Sequence, residues 1–289
     1  MNLPQARLSR RETLGADALL ALATLIWGTT FPINKQLLQH LPPFGYMWVR
    51  AGVATVALAI LARGKLLRLG RDGWARALLL SVILFAGFAF QMFGLRLTTP
   101  TKSAFLTCVS VPLVPFVGLW LLRSRPNVQA WIGCGLAFAG SLVLTYQPGI
   151  LIGTGDLLTL VCAVCFALQI VLVSRFMPGR DPAAMTAAVL LFNVPLGAAA
   201  AVVAGEPALS FPTLPWGTML WLGVMASAAT LLIQSWAQKH TPAVHAAIVF
   251  TLEPVFAALF SYLWMGERLG PRTIAGSVFI LAGIVVAEL

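Results

Sequence analysis

Apolar residues run through this chain in long blocks, with polar breaks of only a few residues between them. Ten blocks reach or approach the roughly 20 residues that a helix needs to cross a hydrocarbon core: 16–38, 44–62, 74–95, 101–122, 128–146, 155–175, 182–204, 216–237, 243–264 and 273–288. Lipid offers backbone N–H and C=O groups no partner, so each block must satisfy its own hydrogen bonds as a helix. The two-residue alternation of a membrane β-barrel is absent. The pattern predicts an all-α membrane protein of ten transmembrane helices behind a short N-terminal segment, 1–15.

One unit is written twice, at 91–144 and 234–286. Each copy opens with Thr-Pro, at Thr99-Pro100 and Thr241-Pro242, and continues into an apolar run with an internal proline, Pro112 or Pro254. A second run follows with Gly133 and Gly140, or Gly276 and Gly283. The copies are 142 residues apart at the prolines and 143 at the glycines and at Gln91/Gln234. Upstream, Asp17/Asp156, Leu19/Leu158 and Thr30/Gln169 share an offset of 139. The chain therefore divides near Gln147-Pro148-Gly149 into two five-span repeats, 16–147 and 148–289. Five is odd, so the second repeat starts from the other side of the membrane and the repeats are inverted. Inverted repeats exchange two conformations about one midplane site, which is the geometry of alternating access.

Composition supports this reading and sets the orientation. With 59% hydrophobic and 10% charged residues, the chain is far from the average soluble domain, about one quarter charged. If the N-terminus lies in the cytoplasm, 13 of the 19 basic residues fall on inside segments and five outside (Lys35, Arg96, Lys102, Arg268, Arg272), with Arg50 inside a span. The positive-inside rule then predicts a multi-pass protein of the cell inner (plasma) membrane with both termini cytoplasmic. The net charge of +10 is read as this topological signal, not as nucleic-acid binding, because no basic stripe with interleaved aromatics forms. Arg7, Arg10 and Arg11 ahead of an apolar run resemble a signal peptide, but that run is too long, so it is read as a retained first span. All four cysteines fall inside spans, and the CxxC of Cys162 and Cys165 is read as small-residue packing. No HExxH, GxSxG, P-loop or His/Asp cluster is found, so neither an enzyme nor a metal or other cofactor is expected.

The stretch from Thr251-Leu-Glu-Pro-Val-Phe-Ala-Ala-Leu-Phe to Gly266-Glu267, with Gly276 and Gly283 beyond it, resembles the EamA family of the drug/metabolite transporter superfamily. Trp27-Gly28 in the first span and Val49-Arg50 in the second share the resemblance, which extends from about Asp17 to the C-terminus. It implies an inner-membrane permease, commonly an exporter of amino acids and related metabolites, with a central cavity between the halves. The first repeat departs from the second, with Val111 where Glu253 stands and Arg123-Ser124-Arg125 near the place of Gly266-Glu267.

The residues that could handle a small-molecule substrate are those expensive to leave in lipid. Glu253 lies halfway along the ninth span, where a charge costs on the order of 3 kcal/mol. A carboxyl so placed suits proton coupling or capture of an ammonium group, although a protonated Glu beside the helix-bending Pro254 would serve structure alone. Arg50, about seven residues below the outer end of its span, is the counter-ion to examine. With Glu253 it would hold a zwitterion; alone it would snorkel outward or cap carbonyls. Asn34, Gln91, Gln169, Asn193 and Gln234 face a cavity or another helix, and Gln91 and Gln234 would line equivalent gates. Trp27, Phe31, Phe88, Phe105, Phe166 and Phe250 are candidates for an aromatic pocket wall, whereas Trp48, Trp74, Trp120, Trp131, Trp216 and Trp264 read as an interfacial belt. The glycines suit close helix packing, either within one chain or against a second copy in a homodimer. Lys102 and His245 read as interfacial residues at the starts of their spans. Lipid-like or cationic drug-like cargo is an alternative, as is a non-transporting membrane enzyme or assembly partner, which would lack a cavity between the halves.

Overall fold

The computed structural model describes residues 10–123, 126–145, 153–207, 209, 213–266, 268 and 270–288. The junction at Gln147-Pro148-Gly149, Glu267 and the first nine residues lie outside this set. The described chain is helical: α1 (Arg10–Leu37), α2 (Pro43–Ala62), α3 (Gly70–Leu97), α4 (Pro100–Cys108), α5 (Ser110–Leu122), α6 (Val128–Thr145), α7 (Thr154–Phe176), α8 (Pro182–Val203), α9 (Trp216–Leu220), α10 (Thr230–Gln238), α11 (Ala243–Phe250), α12 (Leu252–Met265) and α13 (Pro271–Glu288). Eight spans are long and apolar enough to cross a membrane, and Val128–Val143 and Pro271–Ala287 are shorter apolar helices. Together they match the ten predicted runs.

Three spans are not single regular helices, which hydropathy alone does not reveal. The fourth breaks at Val109 between α4 and α5, and the ninth at Thr251 between α11 and α12. Pro112 and Pro254 explain both breaks, because a proline offers no N–H to the carbonyl four residues back, here Cys108 or Phe250. Restarting the helix puts each proline in a first turn, where its missing N–H costs least. In the eighth span a π-helical stretch, Trp221–Ala229, joins α9 to α10.

Spans pack as a pseudo-two-fold axis requires. The main partners are α6 with α13, α2 with α8, α3 with α7 and α1 with α12, with further contacts of α1 on α10 and of α4 and α5 on α7. Exchanging every span for the one five places away maps this set onto itself, as expected for inverted repeats. The seam between α6 and α13 shows it atom by atom. A Cβ on Gly133 would lie 2.6 Å from the Gly283 oxygen, and one on Gly140 would lie 2.6 Å from the Gly276 oxygen. The repeat converts one contact into the other, so the glycine stripes are used within the chain.

Below, the face at which α1 begins and α13 ends is the terminal face. There Lys65 pairs with Asp181 at 2.9 Å, Asp181 also accepts the Ala184 amide at the start of α8, and Arg180 pairs with Asp72. At the opposite face Glu206 accepts the Phe44 and Gly45 amides at 3.1 and 2.7 Å, while Lys35 donates to the Leu95, Arg96 and Thr98 carbonyls at the end of α3. Trp120, Trp131, Trp216 and Trp264 are exposed, whereas Trp74 packs edge-on to Phe192. Trp48 lies against Gly197. One apolar cluster, including Leu20, Val114, Ala246 and Ile248, fills the space toward the terminal face. Another, including Phe31, Tyr46, Met92 and Leu95, lies toward the opposite face. The candidate site sits between them.

Candidate functional site

A cavity of about 630 Å³, open mouth included, lies at mid-depth between the two halves. Of the residues expected from the sequence, the structure brings together Trp27, Arg50, Phe88, Gln91, Phe166, Gln169, Gln234, Phe250 and Glu253 on its walls. Both broken spans reach it, through Cys108, Ser110 and Val111 from the fourth and Phe250 and Glu253 from the ninth. Thr30, Leu84, Thr107, Ile170 and Leu231 complete the lining. Thr30 and Gln169 are the repeat-related pair, and both face the cavity.

Three of the expected residues lie elsewhere. Phe31 is 2% exposed and belongs to the apolar cluster with Met92 and Leu95. Asn34 accepts the Tyr46 hydroxyl at 2.7 Å and sits behind the cavity wall. Phe105 stacks on Phe138, with centroids 6.4 Å apart, so its ring is spent on holding α4 to α6. Among the second-tier amides, Asn193 donates to Ser81 and to the Val189 carbonyl at 2.8 and 2.9 Å, which is helix packing.

Arg50 does not snorkel; it is 6% exposed and held by named acceptors. Its Nε donates to Ser227 Oγ at 2.7 Å, Nη1 to Tyr46 Oη at 3.1 Å and Nη2 to the Ala226 carbonyl at 3.3 Å. Tyr46 hands its own hydrogen on to Asn34, and the guanidinium carbon stands 5.1 Å over the Phe88 ring centre. The π-helical stretch makes this possible. The Thr230 amide bonds to the Met225 and Ser227 carbonyls, leaving the Ala226 carbonyl, its usual α-helical partner, to side chains. That oxygen accepts from Trp27 Nε1 at 3.1 Å and Thr230 Oγ1 at 2.9 Å as well as from Arg50. A guanidinium has five N–H donors, so these three bonds leave two for the cavity.

Glu253 stands in the first turn of α12, just after the break. No described residue forms an ion pair or hydrogen bond with its carboxylate, and Arg50 does not pair with it directly. The two ionisable groups line one cavity. The remaining walls are aromatic, with Trp27 edge-on to Phe250 at 5.3 Å and Phe88 edge-on to Phe166 at 5.5 Å. Toward the terminal face Gln234 Nε2 donates to Gln169 at 3.0 Å and Gln238 at 2.9 Å, and Gln238 donates to the Ile170 carbonyl and Ser174. Toward the opposite face Gln91 donates to Thr107 at 3.2 Å. Amides bound the cavity above and below, as the repeat implies.

Apolar spans in two inverted halves around a cavity lined by ionisable side chains define a membrane transporter in architecture. The model of the EamA-like transporter family matches residues 14–146 and 153–288, and the chain belongs to that family. It is similar to an uncharacterized transporter of Archaeoglobus fulgidus, 30% identical over 278 residues that cover 96% of this chain and 87% of the relative. It is also similar to the uncharacterized transporter YyaM of Bacillus subtilis, 23% identical with 92% and 90% covered. A protein crystal structure shares the fold with a TM-score of 0.79 at 18% identity, over 95% of this chain and 98% of that one.

Proposed function

We propose that this transporter exports small amphipathic metabolites, amino acids above all, from the cytoplasm across the cell inner membrane by alternating access. The observation that carries this reading is that Arg50 and Glu253, two ionisable side chains at membrane depth, line one cavity without pairing with each other. Arg50 keeps one N–H on each Nη for a carboxylate, and Glu253, with no partner among the described residues, is an acceptor for an ammonium group. A zwitterion placed between them satisfies both, and its side chain meets Trp27, Phe88, Phe166 and Phe250. Each buried charge is compensated when substrate is present, which is the usual economy of ionisable groups at membrane depth.

In this reading the terminal face is cytoplasmic, and no residue is catalytic and no cofactor takes part. The substrate enters from that face, the halves tilt about the pseudo-two-fold axis, and the same cavity opens outward. In the return leg Glu253 has lost its ammonium partner and takes up a proton, coupling export to proton exchange.

Counterflow in proteoliposomes tests the substrate class. Radiolabelled amino acids are expected to exchange faster than in empty vesicles, with apolar side chains preferred and the corresponding amines and carboxylic acids weak. Exchange of cationic drugs or lipid analogues without any exchange of amino acids would overturn the assignment. Glu253→Gln tests the coupling, since full uptake with unchanged pH dependence would remove the proton from the cycle.

A further inference from the structure

Of the ion pairs that join the halves, two lie at opposite ends of the molecule and are one contact written twice, whereas Lys65–Asp181 and Asp72–Arg180 at the terminal face link the second, third, sixth and seventh spans. At the opposite face Lys102, in the first turn of α4, meets Asp156, in the first turn of α7, with Nζ to Oδ2 at 2.6 Å. At the terminal face His245, in the first turn of α11, meets Asp17 of α1, with Nε2 to Oδ1 at 2.5 Å. Asp17 and Asp156 are 139 residues apart, the offset of the first spans of each repeat, and Lys102 and His245 are 143 apart, the offset of the glycines. Each pair joins a residue of one repeat to a residue of the other, and each lies on a broken span beyond the apolar cluster that closes its end of the cavity.

Their chemistry differs. Lys102 offers an ammonium, and its partner Asp156 also accepts from Thr98 Oγ1 at 3.1 Å and from the Gly153 amide at 2.8 Å. The terminal-face pair depends on an imidazole, which gains or loses its charge in that range. The His245 side chain is 15% exposed and lines a cavity of about 1080 Å³, open mouth included.

We propose that these pairs are the two latches of the transport cycle, and that the His245–Asp17 latch makes opening toward the cytoplasm sensitive to cytoplasmic pH. Imidazolium against carboxylate holds the terminal face shut, and deprotonation weakens the latch, so this face opens more readily as cytoplasmic pH rises. The Lys102–Asp156 latch has no such response. The inference rests on the alternating access and orientation proposed above, but not on the substrate.

Other charged groups near this end belong to the elements packed around α11. Besides Asp17 of α1 they are Arg123 at the end of α5, Arg175 of α7, and Lys239 and His240 after α10. Arg175 is turned onto the Leu121 carbonyl at 3.0 Å, and the His240 ring stands 5.9 Å from that of Trp236. Asn127 just before α6, Ala130 of α6 and Ala287 of α13 line the same wider cavity as His245 and carry no charge. The side chains of Arg10, Arg11 and Glu12 at the start of α1, and of Arg125 and Glu288, lie outside the described residues. His240 is a second titratable group, so the test must separate it from His245.

Spin labels at Leu14 and Lys239, with the native cysteines replaced, report the separation of the start of the first span from the link that leads from α10 into α11, in the full chain and by pulsed dipolar spectroscopy. Between pH 5.5 and 8 the long-distance fraction is expected to rise roughly threefold to tenfold, the range set by a latch energy near one pKa unit. In H245K this fraction should stay low at both pH values, and in H240Q the wild-type response should persist. K102H, with labels moved to the outer ends of α4 and α7, should create a response at the opposite face. A wild-type distribution unchanged by pH, or a response surviving in H245K, overturns the proposal. The readout is a distance, so a failed search for transported amino acids leaves it standing.

Discussion

Val109, between α4 and α5, and Thr251, between α11 and α12, lie 142 residues apart, and each break puts a proline in the third position of the helix that follows. The backbones of the two breaks are alike, with φ and ψ of −58° and −20° at Val109 and −65° and −11° at Thr251. Their side chains are not. Where the first repeat turns Val111 to the cavity, the second turns Glu253 to it. Arg50 repeats the lesson in reverse, because the residue 139 positions on is Val189, a member of the apolar core. The symmetry is spent on shape and motion, and it is broken where a ligand would be held. A cavity with two equivalent acids and two equivalent bases would hold a zwitterion either way round; one acid and one base give it a single orientation.

The largest effect is expected from erasing this asymmetry. Glu253→Val should lower the initial rate of amino-acid counterflow on the order of 100-fold, the scale of a lost buried charge partner. Adding Val111→Glu to that variant should not restore the rate, because the base has no counterpart at Val189. Recovery to the wild-type rate would show that the two breaks are interchangeable after all.

Where the repeats agree, equivalent substitutions should cost the same. A Cβ on Gly140 would sit 2.6 Å from the Gly276 oxygen and 2.7 Å from the Ile280 nitrogen, and one on Gly283 would sit 2.6 Å from the Gly133 oxygen and 2.7 Å from the Ala137 nitrogen. Gly140→Ala and Gly283→Ala should each destabilise by about 2 kcal/mol in thermal unfolding of the purified protein. A clear difference between them would break the equivalence of the seam.

Arg50→Lys keeps the charge and loses the fork. It should raise KM for amino acids about tenfold with a smaller change in kcat, as expected when a bidentate contact is made in ground and transition states alike. The smallest effect lies at the helix ends, where Arg123 and Gly266 are equivalent and both left-handed, with φ of 51° and 71°. Arg123→Gly should stabilise by about 1 kcal/mol and Gly266→Ala destabilise by a similar amount, because side chains are disfavoured in that conformation. Melting temperatures of the two variants check the pair.

Much of this plan was legible in the sequence because lipid enforces it. Spans, inverted repeats and most of the cavity follow from lengths, offsets and the cost of polar groups in apolar runs. What escaped depends on direction around a helix and not on depth along it. Arg50 and Glu253 lie at similar depths, but depth says nothing of azimuth, and the two face one space without touching. Phe31 and Phe105 look like Phe88 and Phe166 in a string of letters and turn to other neighbours. Tyr46 and Ser227, which fix Arg50, carry no signal of their own, since the π-helical winding that exposes the Ala226 carbonyl arises from packing. Lys102 and His245 read as unrelated interfacial residues, and only their partners show them to be equivalent positions of the two repeats. The offset of 143 between them was there to be counted.

The seam between α6 and α13 has a consequence for ancestry. Gly133 against Gly283 and Gly140 against Gly276 is a contact between two surfaces that are the same surface, presented head to tail. Two copies of a free-standing five-helix chain, inserted in opposite senses, would meet through it without any change. Joining the two halves in one chain makes that antiparallel pairing permanent, and in doing so lets each half drift at positions such as 111 and 253 that identical copies would have been obliged to share.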